Sequence, residues 1–309
     1  MSTPAKLAAC VLGLVLVFGG TFWAGRLAGP AAEPRPAAAT GHAGSGGPHG
    51  AGDAAAGNPA KDTPVPAGLQ VSQDGYTLVP LDTALTPGET TGFRFTVTGA
   101  DGRPVTAYEV AHGKKLHLIV VPRDLGGFQH LHPELGPGGV WSVPLTLPAP
   151  GAYRMFADFV PEGATGLTLG ADLYAPGDYR PGTPPDTGRR VTVDGYTVTL
   201  DGDLTAGRTS RLTLTVSRDG RPVTDLEPYL GSYGHLVALR GGDLAYLHVH
   251  PAPGGPGPAV AFDAEVPSGG SYRLFLDFKH NGAVRTAAFT VSADGTMSVA
   301  PEETGDHGH

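Results

Sequence analysis

The chain repeats itself, and this limits its fold more than any other feature. Asp74-Gly75-Tyr76 returns as Asp194-Gly195-Tyr196, and DGRPVT at 101–106 returns unchanged at 219–224. HLHP at 130–133 returns as HVHP at 248–251, and GAYRMFADF at 151–159 returns as GGSYRLFLDF at 269–278. The offset stays between 118 (Asp101 to Asp219) and 120 (Asp74 to Asp194). A constant offset of this size marks a tandem duplication of one structural module. The modules are assigned to residues 67–175 and 191–293, with a Pro- and Gly-rich linker at 176–190 between them.

Each copy reads as β. Phe93, Phe95 and Val97 alternate with polar residues, as do Leu212, Leu214 and Val216. Val143, Leu145 and Leu147 alternate too, as do Phe262, Ala264 and Val266. A period of two is that of a half-buried strand. Asp101-Gly102 and Asp219-Gly220 sit where a hairpin turns, and Asp-Gly tolerates the positive φ such turns demand. No segment carries a helical stripe. The predicted fold class is all-β: two tandem antiparallel β-sandwiches, immunoglobulin-like or cupredoxin-like, of seven or eight short strands each.

The 48 glycines and 30 prolines divide between these turns and a tether at 27–66 that has no apolar periodicity. Residues 1–26 read as an N-terminal membrane anchor, because Leu7 to Gly25 is an uncharged run of spanning length. A cleaved signal sequence is the alternative. The body is therefore expected outside the cytoplasm, as a single-pass membrane protein or a secreted one. Residues 294–309 form an acidic, histidine-containing tail. A net charge of −8 leaves no basic stripe for nucleic acid. Cys10 is the only cysteine, so no disulfide forms within the chain and no thiolate serves a blue-copper site in the modules.

Six of the twelve histidines fall at matching places: His117, His130 and His132 in the first copy, His235, His248 and His250 in the second. Histidines two apart on a strand share a face. A hairpin centred near 124–125 sets His117 opposite His132, and the same construction sets His235 opposite His250. Three neutral imidazoles on one patch form a chelate for Cu²⁺ or Zn²⁺. One three-histidine site per repeat is expected. Asp158 and Asp277, in the repeated Arg-x-Phe-x-Asp-Phe strand, are expected to hold an imidazole in its metal-binding tautomer. The alternatives for each are a fourth metal ligand, or an ion pair with Arg154 or Arg273, or a turn cap. His42, His49, His307 and His309 belong to the tether and tail, and nothing is assigned to His112 or His280.

The segments KKLHLIVVPRDLGGFQHLHPEL and PGAYRMFADFVPEG, followed by GHLVALRGGDLAYLHVHP and YRLFLDF, resemble a family of actinobacterial membrane-anchored or secreted proteins associated with heavy metals, copper among them. The resemblance implies extracytoplasmic metal handling, the six histidines as ligands, and a metal-transport or resistance protein as partner. The second copy departs from the first at Tyr246-Leu247, which replaces Phe-Gln, and lacks a counterpart of Glu134. Buffering, sensing or chaperoning of copper or zinc is the leading function. A pair of structural or adhesive spacers with structural histidines is the alternative. Catalysis is not expected, since no H-E-x-x-H, nucleophile elbow or P-loop occurs.

Overall fold

A computed structural model describes residues 65–183 and 186–294. The expected anchor, the tether up to residue 64, the tail from 295 and the four histidines they carry lie outside the described residues. Among the described residues no helix is long and apolar enough to cross a membrane.

The described residues are all-β, with one 3-10 turn at Pro137–Gly139. The first repeat holds β1 (Ser72–Gln73), β2 (Tyr76–Pro80), β3 (Thr90–Thr98), β4 (Leu116–Pro122), β5 (Gln129–Leu131), β6 (Glu134–Leu135), β7 (Val140–Thr146), β8 (Gly151–Phe159) and β9 (Leu167–Ala175). They form two sheets, ordered β1-β2-β3-β7-β6 and β5-β4-β8-β9. The second repeat holds β10 (Arg190–Val193), β11 (Tyr196–Asp201), β12 (Leu204–Thr205), β13 (Arg208–Arg218), β14 (Arg221–Pro222), β15 (His235–Arg240), β16 (Val249–Pro251), β17 (Ala259–Val266), β18 (Gly270–His280) and β19 (Ala283–Asp294). Its sheets run β10-β11-β13-β17-β16, with β14 beside β13, and β12-β19-β18-β15.

The alternating residues fill the two sandwich cores. Phe93, Phe95 and Val97 are fully buried in one, and Leu212, Leu214 and Val216 in the other. Asp-Gly pairs close the tightest hairpins. Asp74 and Gly75 join β1 to β2, and Asp219 and Gly220 join β13 to β14, all four with positive φ. Asp101-Gly102 sits in a wider turn, bridged between Thr98 and Pro104.

A third cluster of buried residues joins the repeats. Ile119, Val121, Leu125 and Phe156 of the first pack with Val237, Leu239, Leu244 and Phe275 of the second. All but Leu125 and Leu244, which lie in the turns after β4 and β15, sit on the outer faces of β4 and β8 and of β15 and β18. The sheet β5-β4-β8-β9 therefore has an apolar residue row on each side: Leu118 and Val120 in its own core, Ile119 and Val121 against the other repeat. The two repeats form one compact unit. The contact is built twice in equivalent fashion. Phe128 stacks on Phe275 at 4.3 Å between ring centroids, and its counterpart Tyr246 packs on Phe156 at 5.6 Å.

Truncating a buried aromatic costs about 3–5 kcal/mol, from lost transfer energy and the cavity left behind. Phe275→Ala is expected to lower stability by this amount and to split one calorimetric unfolding transition into two as the repeats uncouple. A single transition at the unaltered midpoint would show that the interface carries no such load.

Candidate metal centre

The outer face of the sheet places the first triad. Strand β4 pairs β5 with Leu118 opposite Leu131 and Ile119 opposite His130. Continued by one residue, that register sets His132 opposite His117. His117, Ile119 and His130 thus share the face turned to the other repeat, because directly opposed residues of a pair point the same way. Strand β8 adds Asp158 opposite His117, and β9 adds Thr168 opposite Asp158. The second repeat builds the same row from His235, Asp277 and Thr286. In each row the threonine hydroxyl donates to the carboxylate: Thr168 to Asp158 at 2.9 Å, and Thr286 to Asp277.

The ligand nitrogens of His117, His130 and His132 all lie within 4.8 Å of one another, and no further His, Cys, Asp or Glu atom among the described residues joins that set. Hydrogen bonds fix the tautomers of two of them. A carbonyl only accepts, so Nε2–H of His117 donates to the Ala111 carbonyl at 3.2 Å. Its Nδ1 is then a bare lone pair. Nδ1–H of His130 donates to Asp277 Oδ2 of the second repeat at 2.8 Å. The remaining nitrogen, His130 Nε2, stands 3.0 Å from His117 Nδ1. Two lone pairs repel at that distance unless a cation lies between them, either a proton on His130 Nε2 or a metal ion. Two nitrogens each about 2.0–2.1 Å from one tetrahedral ion are themselves about 3.3 Å apart. Nε2 of His132 is buried and has no hydrogen-bond partner. Burying a polar atom unpaired costs free energy, so this nitrogen too is placed to ligate a cation.

Asp277 therefore acts across the repeat boundary, orienting a histidine 147 positions away in sequence. Neither aspartate pairs with the arginine of its own strand. Arg154 bonds Asp172 and the carbonyls of Gly68 and Leu69, while Arg273 bonds Thr290. Asp158 bonds no histidine. Burial pushes its carboxyl pKa up, partly offset by the Thr168 hydroxyl.

His235, His248 and His250 are not gathered into a second triad. The hairpin starts in register, with Leu247 N–H donating to the Ala238 carbonyl, but β16 then leaves for the other sheet. Val249 pairs with Ala264 and His250 with Asp263, not with His235. In the first repeat the chain stays beside β4 through Leu131 and changes sheets only at β6. One side chain and one backbone hydrogen bond anchor the earlier crossing. Leu247, in place of Gln129, is buried in the sandwich core, and the Tyr246 N–H donates to the Ala67 carbonyl. His235 faces the first triad instead. Its ring centroid is 6.1 Å from those of His117 and His130, and its Nε2–H donates to the Leu230 carbonyl at 3.2 Å. His112 also joins this edge, 5.6 Å from His235 and 6.2 Å from His117 between ring centroids. Leu230 is its counterpart, so comparison of the two copies gives no signal for it.

Burial, then the neighbouring His130, pushes the pKa of His117 down to about 3 and that of His132 to about 4. His235 falls to about 4, chiefly through burial, although the Leu230 carbonyl opposes the shift. All three are neutral at pH 7, the state that binds metal. In the unfolded chain histidine titrates near 6.5, so the unfolded state takes up more protons between about pH 6.5 and 3. The metal-free protein is thus most stable above that window and loses stability as pH falls through it. Its Tm is expected to drop steadily from pH 7 to 4, and His117→Gln to flatten the slope. Equal Tm values at pH 7 and 4 would show that these imidazoles are not buried neutral.

No curated protein matches the sequence. Among solved structures, the Escherichia coli adhesin FdeC is similar at 15% identity over 72% of this chain and 65% of that one, with a TM-score of 0.24. The Yersinia pseudotuberculosis adhesin InvE is similar at 11% identity over 73% and 60%, TM-score 0.22, and the D0-D1 domain of intimin at 11% over 71% and 97%, TM-score 0.22. The chain spans less than two thirds of the two adhesin structures, and at these scores the likeness carries no functional argument. The model of a domain of unknown function, DUF8832, matches twice, at residues 70–169 and 191–295, and the chain belongs to that family.

Proposed function

We propose that the protein binds one divalent metal ion, Cu²⁺ or Zn²⁺, at His117, His130 and His132, and serves in extracytoplasmic metal buffering, sensing or delivery. The observation that carries this reading is the approach of two ring nitrogens, His117 Nδ1 and His130 Nε2, to 3.0 Å, each ring being held by a hydrogen bond on its far side. His-only donors suit both ions, and Cu²⁺ has the greater intrinsic affinity. The anchor, the location outside the cytoplasm and the metal-transport partner stay with this reading as proposals.

A structural reading has its own support. The His130–Asp277 contact joins the two repeats, with both side chains nearly buried at 6% and 4% exposure. In that reading the modules are a spacer, the histidines are cement, and a proton fills the place of the metal.

Titrating the full-length chain with Cu²⁺ and with Zn²⁺ separates the two. The metal reading gives one tight equivalent per chain, lost in His117→Ala and His132→Ala. Removing a carboxylate that orients a ligand histidine weakens metal binding about 10–100-fold, so Asp277→Asn has that effect although it lies in the other repeat. Binding no tighter than to an unfolded histidine-containing peptide, together with a lower apo Tm in the same variants, would establish the structural reading instead.

A further inference from the structure

The second copy of the His-x-His motif is left over from the triad, yet it is not a random surface feature. His248 and His250 are exposed, and their rings lie 4.4 Å apart between centroids. Both line a cavity of about 80 Å³ whose wall also includes His117, His130, His235 and Asp158. That volume holds about two waters, enough for a partly hydrated ion. His248 lines a second, larger groove as well, of about 510 Å³, together with Glu265. Strand pairing sets Asp263 opposite His250, where Arg211 holds both its carboxylate oxygens at 3.2 Å, and brings Glu265 beside His248, its N–H donating to the His248 carbonyl. Two imidazoles thus meet on an accessible face, and one of them, His248, borders both the outer groove and the inner cavity.

We propose that His248 and His250, with Glu265 beside them, form an outer capture station that takes a divalent metal ion from solvent and passes it through the cavity to His117 and His130. The proposal rests on the triad being the metal centre. Transfer is ligand exchange alone: the ion exchanges waters for His248 and His250, then exchanges those imidazoles for His117 Nδ1 and His130 Nε2, the proton between those nitrogens leaving to water, with no change of oxidation state. The sheet switch of β16 gives this division of labour its physical basis. It removes the second motif from β15, where it would make a twin chelate, and leaves it at the cavity mouth.

A station on a path changes the rates of entry and exit equally and leaves the end states alone. Stopped-flow loading of the full-length chain with Zn²⁺, and its removal by a chelator, tests this. For His248→Gln/His250→Gln both rates are expected to fall about tenfold while the equilibrium affinity moves by no more than about twofold. Glu265→Gln is expected to slow loading less and to weaken its dependence on ionic strength. If wild type loads one equivalent and the double histidine variant loads at the same rate, the relay is wrong and the metal centre stands. If that variant loses affinity or stoichiometry, the pair belongs to the final site and the relay is also wrong. If wild type takes up no Zn²⁺, the metal centre fails and the relay with it. A melting curve matching wild type confirms that the exposed substitutions leave the fold intact.

Discussion

One sheet of each repeat is buried on both faces, and most of what distinguishes this protein follows from that constraint. A free β-sandwich turns the outer faces of its sheets to water. Here Ile119, Val121 and Phe156 meet Val237, Leu239 and Phe275, so the face between the repeats is a dry core. Each fully buried apolar side chain contributes about 1.5–3 kcal/mol, which sets the repeats in one fixed relation. Histidines placed beside that core on the same strands are desolvated with it. The same packing lowers the pKa of His117, His132 and His235 and keeps their lone pairs free.

The duplication is equal in sequence and unequal in chemistry. Both repeats place a His-Asp-Thr row across the same strands, and both fix the tautomer of the β4 or β15 histidine with a carbonyl from the preceding loop. The equivalence ends where β16 crosses to the other sheet. His130 reaches Asp277 of the opposite repeat, whereas its counterpart His248 stays exposed and Asp158 bonds no histidine. One repeat supplies the chelate and the other supplies the carboxylate that orients it. A single repeat would hold the three imidazoles without the group that sets the tautomer of His130.

Much of this was legible in sequence. The alternation at Phe93, Phe95 and Val97 marks a core face, Asp-Gly marks the tight turns, and the spacing of His117, His130 and His132 brings one triad together. Other features were not legible, each for a physical reason. The runs HLIVV and HLVAL do not alternate, which is how a strand buried on both faces reads, but the run does not say what covers the second face. The partnership of Asp277 with His130 spans two folded modules and leaves no local spacing. The change of sheet at β16 turns on Leu247 and on the Ala67 carbonyl, one an ordinary apolar residue and the other a backbone group. His112 acquires its place only because the repeats meet, and Leu230 at the equivalent position hides it from self-comparison.

The central claim concerns which nitrogens carry protons and which carry metal. Long-range ¹H–¹⁵N spectra of the imidazoles, recorded before and after one equivalent of Zn²⁺, test it most directly. The account requires Nε2–H on His117 and Nδ1–H on His130 in both states, with the shift on loading confined to His117 Nδ1, His130 Nε2 and one nitrogen of His132. A spectrum unmoved by Zn²⁺, or a His117 protonated at Nδ1, would contradict it.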